Sequence, residues 1–81
     1  MYTVLVCDDD IAILDSVEIY LKLEGYNVLR AENGRDALEQ VKNNEVHCVI
    51  LDIMMPGLDG LQATLKMREQ HNIPIILLSA K

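Results

Sequence analysis

Val4-Leu5-Val6-Cys7-Asp8-Asp9-Asp10 sets the reading of this chain: four apolar residues in a row, then three carboxylates. A short apolar run with β-branched residues predicts a strand buried on both faces, here over Tyr2 to Cys7. The same pattern recurs twice. Cys48-Val49-Ile50-Leu51 stops at Asp52, and Ile75-Ile76-Leu77-Leu78 stops at Ser79. If these strands are parallel neighbours, carboxylates and a hydroxyl converge at one end of one sheet.

The intervening segments supply the crossovers. Asp9 or Asp10 is placed to cap a helix. Ile13, Leu14, Val17, Tyr20 and Leu21 recur at helical spacing, and Gly25 is a stop. Asn27 to Ala31 reads as a weaker second strand. Asn33 is placed to cap the next helix, with Ala37, Leu38 and Val41 on one face. His47 to Leu51 is the third strand. A loop over residues 53–58 contains Pro56-Gly57, and Asp59 caps a third helix with Leu61, Leu65 and Met67 or Arg68 inward. Asn72 and Pro74 break that helix before the fourth strand, Ile75 to Leu78. This alternation predicts an α/β fold with a doubly wound parallel sheet and right-handed crossovers. In such sheets the ligand site lies beyond the carboxyl ends of the strands, where Asp8, Asp9, Asp52 and Ser79 all fall.

The chain has 81 residues, one domain at most. A complete doubly wound domain usually needs about 100 or more, so the expectation is an incomplete fold. A net charge of -6 with seven scattered basic residues argues against a nucleic-acid surface. No apolar run approaches the roughly 20 residues of a membrane span, and no basic segment leads into an apolar one. A cytoplasmic protein without membrane contact is expected. Cys7 and Cys48 fall inside strands without CxxC spacing, and read as buried free thiols. His47 and His71 have no convergent partners in the pattern and read as surface residues.

Carboxylates collected at one place repel each other unless a cation or proton intervenes. Mg²⁺ suits such a place, being hard, octahedral and retentive of water. A carboxylate accepts a phosphoryl group as an acyl phosphate, and a divalent cation bridges the anionic partners. Asp52, at a strand end before a loop shaped by Pro56 and Gly57, is the candidate acceptor. Asp9 is the candidate direct metal ligand and Asp8 its support, through water. Ser79 is placed to donate its hydroxyl to a phosphoryl oxygen and to move when that charge arrives. Asp10 reads as a cap. The strand-Asp8-x-Asp10 pattern also fits haloacid-dehalogenase phosphatases, with Asp8 as nucleophile. Ile11-Ala12 follow where small or hydroxylated residues are usual there, and Asp52 would have no task.

Three stretches resemble the receiver domain of two-component response regulators: residues 4–10, the segment Leu51-Asp52-Ile53-Met54-Met55-Pro56-Gly57-Leu58-Asp59-Gly60, and residues 75–81. Val17-Glu18-Ile19-Tyr20-Leu21 and Gly25-Tyr26 are similar to receivers of the winged-helix transcription-factor type, including the vancomycin-resistance regulators. The resemblance implies a flavodoxin-like fold, here four strands in order 2-1-3-4 with three helices. It implies phosphotransfer from a sensor histidine kinase to Asp52, and Mg²⁺ held by Asp9, Asp52 and the Met54 carbonyl, with Asp8 supporting and Ser79 as switch hydroxyl. It further implies that residues 1–81 are the N-terminal two-thirds of a receiver, without its last helix-strand-helix or an output domain. Lys81 then starts the next loop and is not the family's phosphoryl-contacting lysine. The alternative is a signalling-incompetent fragment that acts as a folding and assembly unit. An open fourth-strand edge predicts a homodimer or swapped oligomer.

Overall fold

The computed structural model describes residues 1–52 and 60–78, with Leu61 and Gln70 described by backbone alone. Met54, Pro56, Gly57, Asp59, Ser79 and Lys81 therefore lie outside the described residues. The chain runs β1 (Thr3–Cys7), α1 (Ile11–Leu23), β2 (Asn27–Ala31), α2 (Gly34–Asn43), β3 (Cys48–Asp52), α3 (Gly60–Gln70) and β4 (Ile75–Leu78). The strands form one sheet in the order β2-β1-β3-β4, with every neighbouring pair parallel. The parallel pairing is what the alternation of strand and helix predicts, and the order is the flavodoxin-like one that the resemblance implied.

Local chemistry fixes the element ends. Asp10 caps α1, its carboxylate accepting the Ala12 N–H at 3.0 Å. Asn33 caps α2 in the same way, accepting the Asp36 N–H at 2.7 Å. α1 closes on Gly25 at φ +93, where the Gly25 and Tyr26 N–H groups donate back to Lys22 and Leu21. A left-handed residue in that position ends a helix, and glycine adopts it without a Cβ penalty.

The sheet separates two cores. On one face Leu5, Cys7, Val49 and Leu51 pack with Ala37 and Val41 of α2 and Ala63 and Met67 of α3. On the other, Val4 and Val6 pack with Leu14, flanked by Val17, Leu21 and Val28. Each fully buried aliphatic side chain contributes about 1.5–3 kcal/mol of transfer free energy. Cys7 and Cys48 fall in different cores, which explains why both are free thiols. Cys7 is buried and Cys48 only half-buried.

Several expectations need correction. β1 begins at Thr3, not Tyr2, and β3 runs one residue later than expected, from Cys48 to Asp52. Asp52 is thus the last residue of its strand, in register with Leu78. In α1 Ile13 and Tyr20 stay exposed while Leu14, Val17 and Leu21 turn inward. Leu14, Val17 and Leu21 are the residues that pack on Val4, Val6 and Val28, and Arg30 of β2 donates to Asp15 and Glu18 at 2.8 Å on the charged flank of α1 that faces β2. In α3 the inward pair is Ala63 and Met67, spaced i, i+4, so Leu65 on the opposite side is exposed and Arg68 with it. Arg68 instead donates to the Ile73 carbonyl across the turn into β4. His47 is half-buried: its Nδ1 accepts the Thr3 N–H at 3.0 Å, and its own N–H donates to the Thr3 carbonyl at 2.9 Å. The Tyr2 ring meets it edge-on at 5.2 Å.

Candidate functional site

The acidic site is built by strand ends. β1 and β3 are adjacent, with Cys7 beside Leu51, so the residues that follow each strand's apolar run emerge side by side. Asp8 continues the ladder one step beyond β1, its N–H donating to the Ala31 carbonyl at 3.1 Å. Asp9 follows in the turn and Asp52 closes β3. One carboxylate oxygen from each of Asp8, Asp9 and Asp52 lies within 4.8 Å of the other two. The structure thus brings together the three carboxylates singled out from the sequence.

Their environments differ. Asp8 is 4% exposed, Asp52 is half-buried and Asp9 is open to solvent. Burial holds the Asp8 carboxyl above the usual carboxylate range, and the charges of Asp52, Asp9 and Asp10 push the same way. The Asp10 N–H, donating to Asp8 Oδ1 at 2.9 Å, opposes them. That bond also folds the turn so that Asp10 faces α1 as its cap, away from the cluster's work. Two unit charges about 4 Å apart at a protein surface repel by about 4 kcal/mol. Three such groups favour a divalent cation or a shared proton, and oxygen-only donors of this kind suit Mg²⁺. Among the described residues they form the one cluster of three or more metal-ligating side chains.

The pattern did not mark Cys7 as part of this neighbourhood. It sits directly behind the cluster, its thiol donating to the Asn33 carbonyl at 3.2 Å. Burial, then the charges of Asp36, Asp8, Asp52 and Asp9, push its pKa up to about 12. The thiol is therefore a neutral packing group beside the acids and not a nucleophile. Its place immediately before Asp8 was the available signal. Met54 and Ser79, the remaining expected site residues, lie outside the described residues.

Away from this cluster, a surface concavity of about 260 Å³ is lined by Leu38, Glu39 and Lys42 of α2, Lys66 and Glu69 of α3, and His71. No helix among the described residues is long and apolar enough to cross a membrane.

Residues 4–81 match the family model of the response regulator receiver domain. The chain is 44% identical over 78 residues to the regulatory protein VanR of Enterococcus faecium, which covers 96% of this chain and 34% of that protein. It therefore spans about a third of that relative's length. Among solved structures it is similar to the response regulator TrrA of Thermotoga maritima in complex with Mg²⁺–BeF (39% identity, TM-score 0.94), covering 100% of this chain and 71% of that one. It is likewise similar to TrrA in complex with the histidine kinase ThkA (40% identity, TM-score 0.93), covering 99% of this chain and 70% of that one.

Proposed function

The chain belongs to the response regulator receiver domain family, and from that premise we propose that Asp52 is the phosphoacceptor of a two-component signalling step. The observation that carries this reading is the convergence of Asp8, Asp9 and Asp52 within 4.8 Å at the carboxyl ends of β1 and β3. A partly exposed carboxylate at a strand end reaches an incoming phosphoryl group, while a buried one does not. That contrast supports Asp52 over Asp8 as the acceptor, with Asp8 in a supporting role.

In the proposed step an Asp52 oxygen attacks the phosphorus of a phosphohistidine on a sensor kinase. The P–N bond breaks, the histidine nitrogen keeps the electron pair, and an acyl phosphate forms on Asp52. Asp9 and Asp52 would hold Mg²⁺, with Asp8 orienting a bound water and the Met54 carbonyl completing the protein's share. Bound there, Mg²⁺ would neutralise charge on the phosphoryl oxygens. Ser79, the residue after Leu78, would donate its hydroxyl to the new phosphoryl oxygens and carry the change onward. The partner would be a sensor histidine kinase, as TrrA has in ThkA. The output would be transcriptional, by likeness to VanR.

Intact-mass measurement with acetyl phosphate and Mg²⁺ tests the reading. The parent chain is expected to gain one phosphoryl group, which is lost on hydroxylamine treatment, and Asp52→Asn is expected to gain none. No gain in the folded parent would leave an assembly unit with a receiver's fold, and equal gain in Asp52→Asn would move the acceptor elsewhere.

A further inference from the structure

We propose that His47 is a pH-operated fastener between β1 and β3: its neutral ring closes the first rung of that pair, and its protonated ring lets the rung go. β3 begins at Cys48 and pairs with β1 from Val4 onwards, so Thr3 and His47 meet one step before the ladder. The Thr3 carbonyl accepts the His47 backbone N–H at 2.9 Å, as a ladder extended by one step would have it. The Thr3 N–H lies where the backbone of β3 has not yet begun. It donates instead to Nδ1 of the His47 ring at 3.0 Å. One residue thus satisfies both backbone groups of Thr3, and such groups are costly to leave unpaired inside a fold.

The direction of that second bond fixes the state of the ring. A backbone N–H only donates, so Nδ1 must offer its lone pair and the ring proton belongs on Nε2. Nε2 faces Glu45 Oε2 at 3.5 Å. A second proton can enter only at Nδ1, where it sets one N–H against another and breaks the bond to Thr3. Histidine is the side chain whose ordinary charge change falls between about pH 5 and 8. The surroundings admit that proton. The His47 side chain is 34% exposed and that of Glu45 88%, so water reaches the ring and a carboxylate attracts the imidazolium. Tyr2, the other titratable side chain against the ring, presents its edge at 5.2 Å. β2 brings uncharged Asn27, whose side-chain amide donates to Thr3 Oγ1 at 3.1 Å and whose backbone N–H donates to the Tyr2 carbonyl at 2.9 Å. These bonds keep the start of β1 on β2 when the His47 side lets go, so the opening is local. The acidic cluster lies at the opposite end of β1, and the fastener is independent of the phosphoacceptor reading.

Amide hydrogen exchange followed by NMR tests the proposal, with each rate divided by the intrinsic rate at that pH. Between pH 8 and pH 5 the protection of the Thr3 amide is expected to fall roughly fivefold, the worth of one ordinary hydrogen bond. The fall should keep step with the ring resonances of His47, while Val6 in the same strand stays protected. In His47→Asn an amide oxygen takes the place of Nδ1 and accepts without titrating, so Thr3 protection is expected to be the same at both pH values. His47→Phe offers no acceptor and is expected to show the low value at both. Circular dichroism checks that the variants fold; should either fail, the Thr3 and His47 signals of the parent still decide. Undiminished Thr3 protection after the His47 ring has titrated would overturn the proposal. So would a pH-dependent loss in His47→Asn equal to that of the parent. Loss at Val6 together with Thr3 would mean that the whole sheet opens, and would reject a local fastener.

Discussion

Asp8 shows how one residue trades stability for a site. It is buried, flanked by like charges and accepts a backbone N–H from Asp10. Because its carboxyl is held above the usual range in the folded state, the folded chain binds a proton at higher pH than the unfolded chain does. The cost is therefore present in full above the raised value, and falls as pH drops through it towards the ordinary carboxylate value. Asp8→Asn removes that cost. It is expected to stabilise the metal-free chain at neutral pH by about 1 kcal/mol, as relief of strain at functional sites commonly does. The advantage should shrink on acidification, and Mg²⁺ affinity should fall. Thermal unfolding of both proteins at several pH values checks this; a constant difference across pH would show that Asp8 carries no such charge cost.

At the scale of elements, the caps were legible and the rotation of the helices was not. Asp10, Asn33 and Gly25 each do in the structure what their side chain, or lack of one, dictates locally. α1 was harder because it is apolar nearly all round, with Ile11, Ile13, Ile19, Tyr20 and Leu23 all exposed. Its periodicity alone does not say which stripe faces inward. The packing of Leu14, Val17 and Leu21 on Val4, Val6 and Val28, and the contact of Arg30 with Asp15 and Glu18, join the helix to strands distant in sequence, beyond the reach of pattern. Likewise β3 extends to Asp52 through pairing with β4, which no local signal at residue 52 announces. The acid cluster was legible because strand ends in a parallel sheet share an edge; Cys7 was missed as its neighbour because thiol burial reads the same anywhere in a core. Gly25 gives the sharpest test at this scale. A Cβ there meets nothing within 4 Å, so only the backbone term remains. Gly25→Ala is expected to cost about 1 kcal/mol, the penalty for an L-residue in the left-handed region. Chemical denaturation measures it, and no loss would mean that the turn relaxes freely.

The molecule as a whole carries a net charge of -6, and three of its carboxylates sit at one end of the sheet. Any cation that binds the folded cluster and not the unfolded chain must stabilise the fold by mass action. At one hundred times the dissociation constant that linkage is worth about 2.7 kcal/mol. For a domain this small it raises the unfolding midpoint by roughly 10–20 °C. The three consecutive aspartates then separate by role. Asp9→Asn is expected to abolish most of the Mg²⁺-dependent rise while leaving the metal-free midpoint unchanged or higher. Asp10→Ala is expected to lose about 1 kcal/mol of stability through the α1 cap, yet keep the full Mg²⁺ response. Sodium chloride at matched ionic strength controls for general screening, which acts on every surface charge alike. Calorimetry with and without Mg²⁺ reads both quantities at once. If Asp10→Ala lost the Mg²⁺ response as completely as Asp9→Asn, the cap and the cluster would be one unit, and the division of labour among these neighbouring carboxylates would be wrong.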